Sequence, residues 1–153
     1  MITQDFKVNY SNISKMVCAH YRIGNKAYDK NSTLLIVFYK LLKIFVKLYS
    51  SADIHPKAKI GKNLRLEHDA DGIMIHSTAV IGDNARIFHQ VTIGIKDKGT
   101  AARIGDNVLI GAGAKVIGDV SIGNDVAIGA NSVVTKSFEN DKVIAGIPAK
   151  IIN

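Results

Sequence analysis

Cysteine is almost missing from this chain. Cys18 stands alone among 153 residues, so no internal disulfide can form and a reducing compartment fits. Acidic residues are scarce at the start: residues 1–50 hold eight Lys/Arg against two Asp, an excess of +6. Residues 51–153 hold twelve basic against eleven acidic side chains and are nearly neutral. That second part lacks the basic surface a nucleic-acid ligand needs. Long apolar runs are also lacking. Met1 to Tyr10 carries acids and amides rather than the apolar core of a signal peptide. The uncharged run before Lys40 is far too short to span a bilayer. The expectation is a cytoplasmic chain long enough for one real core.

What the sequence does have is a six-residue repeat. Counting an apolar residue as position one, the register runs Ile54, Ile60, Leu66, Ile75, Ile81, Ile87, Ile93, Ile104, Ile110, Val116, Ile122, Ile128, Val134. Glycine follows seven of these, and position five is mostly small or β-branched, as in Ala58, Ala79, Val91 and Val126. A unit this short is too brief for a helix pair or a propeller blade, and hexapeptide periodicity marks a parallel β-helix. Three hexads close one triangular coil, position one pointing inward to stack on its equivalents above and below. Glycine at position two reads as a corner residue chosen for unusual backbone angles.

The first fifty residues read as helical. One stretch spans Ile13 to Tyr28, with a break expected at Gly24-Asn25. A second follows the capping run Asn31-Ser32-Thr33 and continues from Leu34 to Tyr49. Its lysines, Lys40, Lys43 and Lys47, share one face. Two readings stay open for it: packing on the first coil, or resting on an anionic membrane through residues 34–49. The division expected is a helical segment over 1–50, a β-helix over 51–137 and a tail over 138–153.

The count breaks twice. Leu66 to Ile75 is a step of nine, and Ile93 to Ile104 a step of eleven, so residues 94–103 must protrude as a loop. Loops on a rigid scaffold commonly carry function. His68 and His89 both occupy position three, three hexads apart, which puts them on one face about 4.8 Å from each other. An imidazole in a groove walled by a loop suits a general base. His55 and His76 fall at position two and read as corner residues.

Asp53-Ile54-His55-Pro56, Leu66-Glu67-His68, Val91-Thr92-Ile93-Gly94, Ile110-Gly111-Ala112-Gly113-Ala114-Lys115 and Gly146-Ile147-Pro148-Ala149-Lys150 together resemble the hexapeptide-repeat acyltransferases. Within them the likeness is to serine O-acetyltransferases over about residues 52–152. Tyr21-Arg22-Ile23-Gly24-Asn25 resembles instead the short leader of capsular and exopolysaccharide O-acetyltransferases. The resemblance implies a mainly β fold, a left-handed parallel β-helix preceded by a short α-helical segment. It implies acetyl-CoA as co-substrate, no metal, and a homotrimer with acetyl-CoA between subunits. His68 falls on the catalytic base and Asp53 on the carboxylate that orients it. Glu67 falls on a substrate-contacting position, with His89 beside the substrate. Gly94, Ala112, Gly113 and Ala130 fall on the pantetheine groove, Lys136 or Lys150 on the phosphate end.

One departure stands out. Where the serine enzymes carry an Arg-His-Pro sequence in the loop, this chain reads Thr100-Ala101-Ala102. The acceptor expected is therefore a sugar hydroxyl of a capsular or surface polysaccharide or its precursor, with serine as the alternative. Two other classes stay open: a γ-carbonic-anhydrase-like zinc protein using His68, His76 and His89, and a non-catalytic β-helical scaffold.

Overall fold

A computed structural model describes residues 1–153 as three helices and fifteen short strands. The strands wind into a three-sided parallel β-helix. The first face stacks Asp53–Ile54, Met74–Ile75, Thr92–Gly94, Lys115–Ile117 and Val133–Val134. The second stacks Lys59–Ile60, Val80–Ile81, Arg103–Ile104 and Ser121–Ile122, and the third begins Arg65–Leu66, Arg86–Ile87, Leu109–Ile110, Ala127–Ile128. Register follows the hexads: Ile54 lies beside Ile75, Ile75 beside Ile93, Ile93 beside Val116. No residue of the inward register is more than 6% exposed. Each such side chain contributes about 1.5–3 kcal/mol by leaving water.

The glycines do something other than expected. Gly61, Gly82, Gly105 and Gly123 do not have positive φ. A Cβ on Gly61 would lie 2.6 Å from the carbonyl carbon of Gly82, and one on Gly105 would lie 2.9 Å from that of Gly123. They are glycine because adjacent coils touch there. The left-handed corner conformation falls two residues later, at Asn63 (φ 57), Asn84 (φ 59), Asn107 (φ 57) and Asp125 (φ 57), residue types that tolerate it best. These side chains bond in file: Asn63 Nδ2 donates to Asn84 Oδ1 (2.7 Å), Asn84 to Asn107 (2.8 Å), and Asn107 to Asp125 (3.0 Å).

Residues 138–153, expected as a tail, prolong the coil. Phe138 bridges to Ile122, Val143–Ala145 pairs with Ala127 and Ile128, and Lys150–Ile151 turns back as the one antiparallel strand.

Three helices precede the coils: α1 (Ile2–Val8), α2 (Asn12–Asp29) and α3 (Thr33–Tyr49). The break expected at Gly24-Asn25 is absent, and α2 runs through it. Gly24 instead admits the Tyr39 ring of α3, whose Cε2 would be 2.5 Å from an added Cβ. Ser11 caps α2, accepting the Ile13 N–H at 3.1 Å.

A β-helix has an open end, and its first coil has backbone groups with no strand to bond. The helices meet them with side chains. Tyr21 donates its hydroxyl to Ala58 O (2.8 Å), Arg22 Nη1 donates to Ile60 O (2.6 Å), and Asn9 Nδ2 donates to Leu64 O (2.7 Å). The Leu64 N–H donates to Asp5 Oδ1 (2.9 Å) and the Leu66 N–H to Asn9 Oδ1 (2.8 Å). Asp5 also pairs with Arg22 at 2.8 Å, both side chains buried. Removing one partner leaves a charge and a backbone donor unpaired. We expect Asp5→Ala to cost about 3–5 kcal/mol in urea denaturation, against under about 0.5 kcal/mol for an exposed site such as Lys30.

His20 stacks on Tyr39 with ring centroids 4.4 Å apart, its Nε2 3.2 Å from Tyr39 O. Burial pushes its pKa down from the ordinary 6.5, outweighing the opposite pull of that hydrogen bond. The unfolded chain therefore binds a proton more readily than the folded one, and stability present above pH 6.5 is lost as pH falls below it. Melting temperature should drop from about pH 7.5 to 5.5, and His20→Phe, which cannot titrate, should flatten the drop.

Candidate active site

The corner between the third and first faces carries the predicted site. Leu66 pairs with Ile87, Ile87 with Ile110, and Ile110 with Ile128. Two residues on, the same register stacks His68, His89, Ala112 and Ala130 in one column down that corner. His68 and His89 meet edge to face with centroids 4.8 Å apart, and Phe88 lies 5.8 Å from His68. His68 is exposed, whereas His89 Nδ1 is buried without a partner. The Gly113 N–H donates to His89 O at 2.9 Å and Gly113 takes φ +71.

The extra residues after Leu66 form a left-handed turn. His68 (φ 49), Asp69 (φ 61) and Ala70 (φ 59) are successive residues in a conformation that costs about 1–2 kcal/mol each. Such strain persists only where its surroundings hold it. Ser11 donates to Asp69 Oδ1, Ser50 Oγ donates to Asp69 O (3.1 Å), and the Gly72 N–H donates to Ser51 Oγ (2.7 Å). The N-cap of α2 and the segment after α3 thus aim His68.

Glu67 does not stand free for a substrate. Arg86 Nε donates to its Oε1 at 2.7 Å, and Arg65 Nε lies at the same distance as an ion pair without hydrogen-bond alignment. Asp53, expected to orient His68, makes no hydrogen bond to it within the chain. Its carboxylate lies 3.1 Å from Lys43 Nζ and 3.9 Å from Lys47 Nζ, both on α3. Gly94 ends the first-face strand, accepting the Gly118 N–H at 3.0 Å. Lys136 lies over the Phe138 ring at 5.4 Å, and Lys150 sits on the exposed final strand. Neither is brought to the histidine pair.

The structure also brings together residues that the pattern did not join into one site. Asp53, His55, His76, Thr92, Gly94 and Lys43 line a cleft of about 310 Å³ on the first face. The Lys57 N–H donates to His55 Nδ1 (3.1 Å) and the Thr78 N–H to His76 Nδ1 (3.3 Å), so each Nδ1 acts as an acceptor and leaves Nε2 as the ring's donor. Ala101 and Ala102 are buried, and the Ala101 N–H donates to Thr78 Oγ1 (2.8 Å), which ties the loop's end beside His76. The signal was available: His55 and His76 share position two, three hexads apart, as His68 and His89 share position three. No group of three His, Cys, Asp or Glu side chains converges as metal ligands, and His76 stands at a different corner from His68 and His89.

The chain matches, over residues 101–136, the family model described as bacterial transferase hexapeptide (six repeats). It is 41% identical over 133 residues to a serine acetyltransferase of Staphylococcus aureus (strain Mu50 / ATCC 700699), covering 85% of this chain and 61% of that protein. It also superposes on the serine acetyltransferase of Brucella abortus strain S19 in complex with coenzyme A (TM-score 0.80, 35% identity, 89% of this chain and 54% of that one). The soybean serine acetyltransferase apoenzyme is similar to the same degree (TM-score 0.82, 33% identity, 93% and 58%). The chain spans about 61% of the S. aureus relative it matches, and less of these two structures.

Burial first, and then the neighbouring His76, pushes the pKa of His55 below 6.5, so it is neutral at pH 7. By NMR titration His55 should protonate below that value, and His76→Asn should move its midpoint upward.

Proposed function

We propose that this protein is an acetyl-CoA-dependent O-acetyltransferase in which His68 is the general base and the acceptor is serine. The observation that carries the reading is the column headed by His68 and His89, on a chain similar over most of its length to serine acetyltransferases. One of those relatives is described in complex with coenzyme A. The relatives support serine, the runner-up from sequence, over the sugar of a capsular or surface polysaccharide. One observation favours a sugar: Ala101, buried and tied to Thr78, supplies no basic group at the loop position where the resemblance puts a histidine.

The chemistry asks little of the protein beyond placement. The acceptor hydroxyl loses its proton to His68 as its oxygen attacks the thioester carbonyl. The tetrahedral adduct then collapses, the ester forms, and the departing thiolate of CoA takes the proton back from the imidazolium. His89, edge-on to His68, packs against that ring and restricts its rotation. Glu67 acts through the arginines that hold it, fixing the strand end from which His68 projects. Acetyl-CoA lies down the same corner past Gly113, Ala112 and Ala130, with Gly94 contributed across a subunit boundary of a homotrimer and Lys136 or Lys150 at the phosphates. Asp53 is the carboxylate that the resemblance assigns to orienting His68; within the chain Lys43 and Lys47 hold it.

CoA release, followed with a thiol reagent, tests the reading. L-Serine should support it and a panel of free sugars should not; the reverse would move the acceptor to carbohydrate. His68→Ala should lower kcat by about 10²–10⁴-fold, with His89→Ala costing less. Wild-type turnover by His68→Ala with its fold intact would remove His68 from the role.

A further inference from the structure

Helix α3 shows an apolar face that nothing in the protein covers. Leu34, Leu41, Ile44, Phe45 and Leu48 are 80%, 56%, 63%, 62% and 71% exposed. With Val37 and Phe38 (49% and 50%) they form a stripe about 120° wide and about 21 Å long, at ~100° and 1.5 Å per residue. Scattered surface leucines are ordinary, but a continuous stripe marks an interaction surface. Its opposite face is committed: Tyr39 and Val46 pack on α2 and the first coil, and Lys43 reaches Asp53.

We infer that α3 docks in the interface of an anionic lipid bilayer, lying flat with this stripe toward the acyl chains. The charge pattern selects lipid over a second copy of the chain. Lys40 and Lys47 border the stripe on one side, α3 contains no acidic residue, and residues 1–50 carry an excess of +6. Two such faces packed together would set these lysines against each other, whereas an anionic surface attracts them. The helix rests on the membrane and does not cross it: no helix of the chain is long and apolar enough to span one. An amphipathic helix with a wide apolar face and flanking lysines is what interfacial binding requires.

Flotation of the full chain tests this, using vesicles of phosphatidylcholine alone and with phosphatidylglycerol added. The wild type should float with the anionic vesicles and much less with the neutral ones. The double variant Leu41→Glu/Phe45→Glu changes two exposed positions, so its melting temperature should hold while its partitioning falls by about 100-fold or more. Lys40→Gln should weaken binding to anionic vesicles by about fivefold, the worth of one basic residue near such a surface. A wild type left in the dense fraction with anionic vesicles overturns the inference, as does undiminished flotation of the double variant. It is equally overturned if vesicle-free wild type sediments as a larger assembly that the double variant splits, since a second copy then covers the face.

Discussion

An open end is the weak point of any parallel β-helix, and here a buried ion pair closes it. Strands in a coil bond only to the coils above and below, so the first coil exposes donors and acceptors that invite another chain's strand. Asp5 and Arg22 answer together. The carboxylate takes the Leu64 N–H and holds the guanidinium, which reaches the carbonyls of Ile60 and Gly61. Asn9, Tyr21 and Asn25 finish the task along the same edge. A buried ion pair is poor value as a source of stability alone. This one earns its place by satisfying backbone groups that no apolar side chain could.

The same cap reaches the candidate site. Ser11, one residue before α2, holds Asp69, and Ser50, just after α3, holds the same residue's carbonyl. The left-handed turn that presents His68 is therefore gripped by both ends of the helical layer. Closing the solenoid and holding the turn that carries His68 are one structural act. Below that turn the coil repeats with little variation, so the His68 column inherits its straightness from the inward isoleucines.

Much of this was legible, because the hexad count is an integer code. Ile54 through Val134 fell inward as counted, and the coincidence of His68 with His89 followed from three hexads per coil. A three-sided parallel β-helix needed nothing more, its expected hand coming from the resemblance. What escaped reading depended on contacts between coils. Gly61 looks like a flexible corner in one dimension, yet it is glycine because Asp83 and Gly82 crowd it from the next coil. Gly24 looks like a helix break and is a seat for the Tyr39 ring. Asp53 looked available to His68, and only the folded chain reveals Lys43 beside it. His55 and His76 obeyed the same three-hexad rule as His68 and His89 and were passed over because corner positions seemed inert. Residues 138–153 hid their strand since Ile144, its inward residue, falls off the six-residue count.

The corner column also works as a ruler. Each coil advances by one strand spacing, about 4.8 Å, so His68, His89, Ala112 and Ala130 are graduations covering about 14 Å. A molecule laid along that edge can be longer or shorter only in whole divisions. Adding or removing one coil would change the reach of the groove by a single step while every local contact stayed the same, and the asparagine file at the neighbouring corner would simply gain or lose one rung.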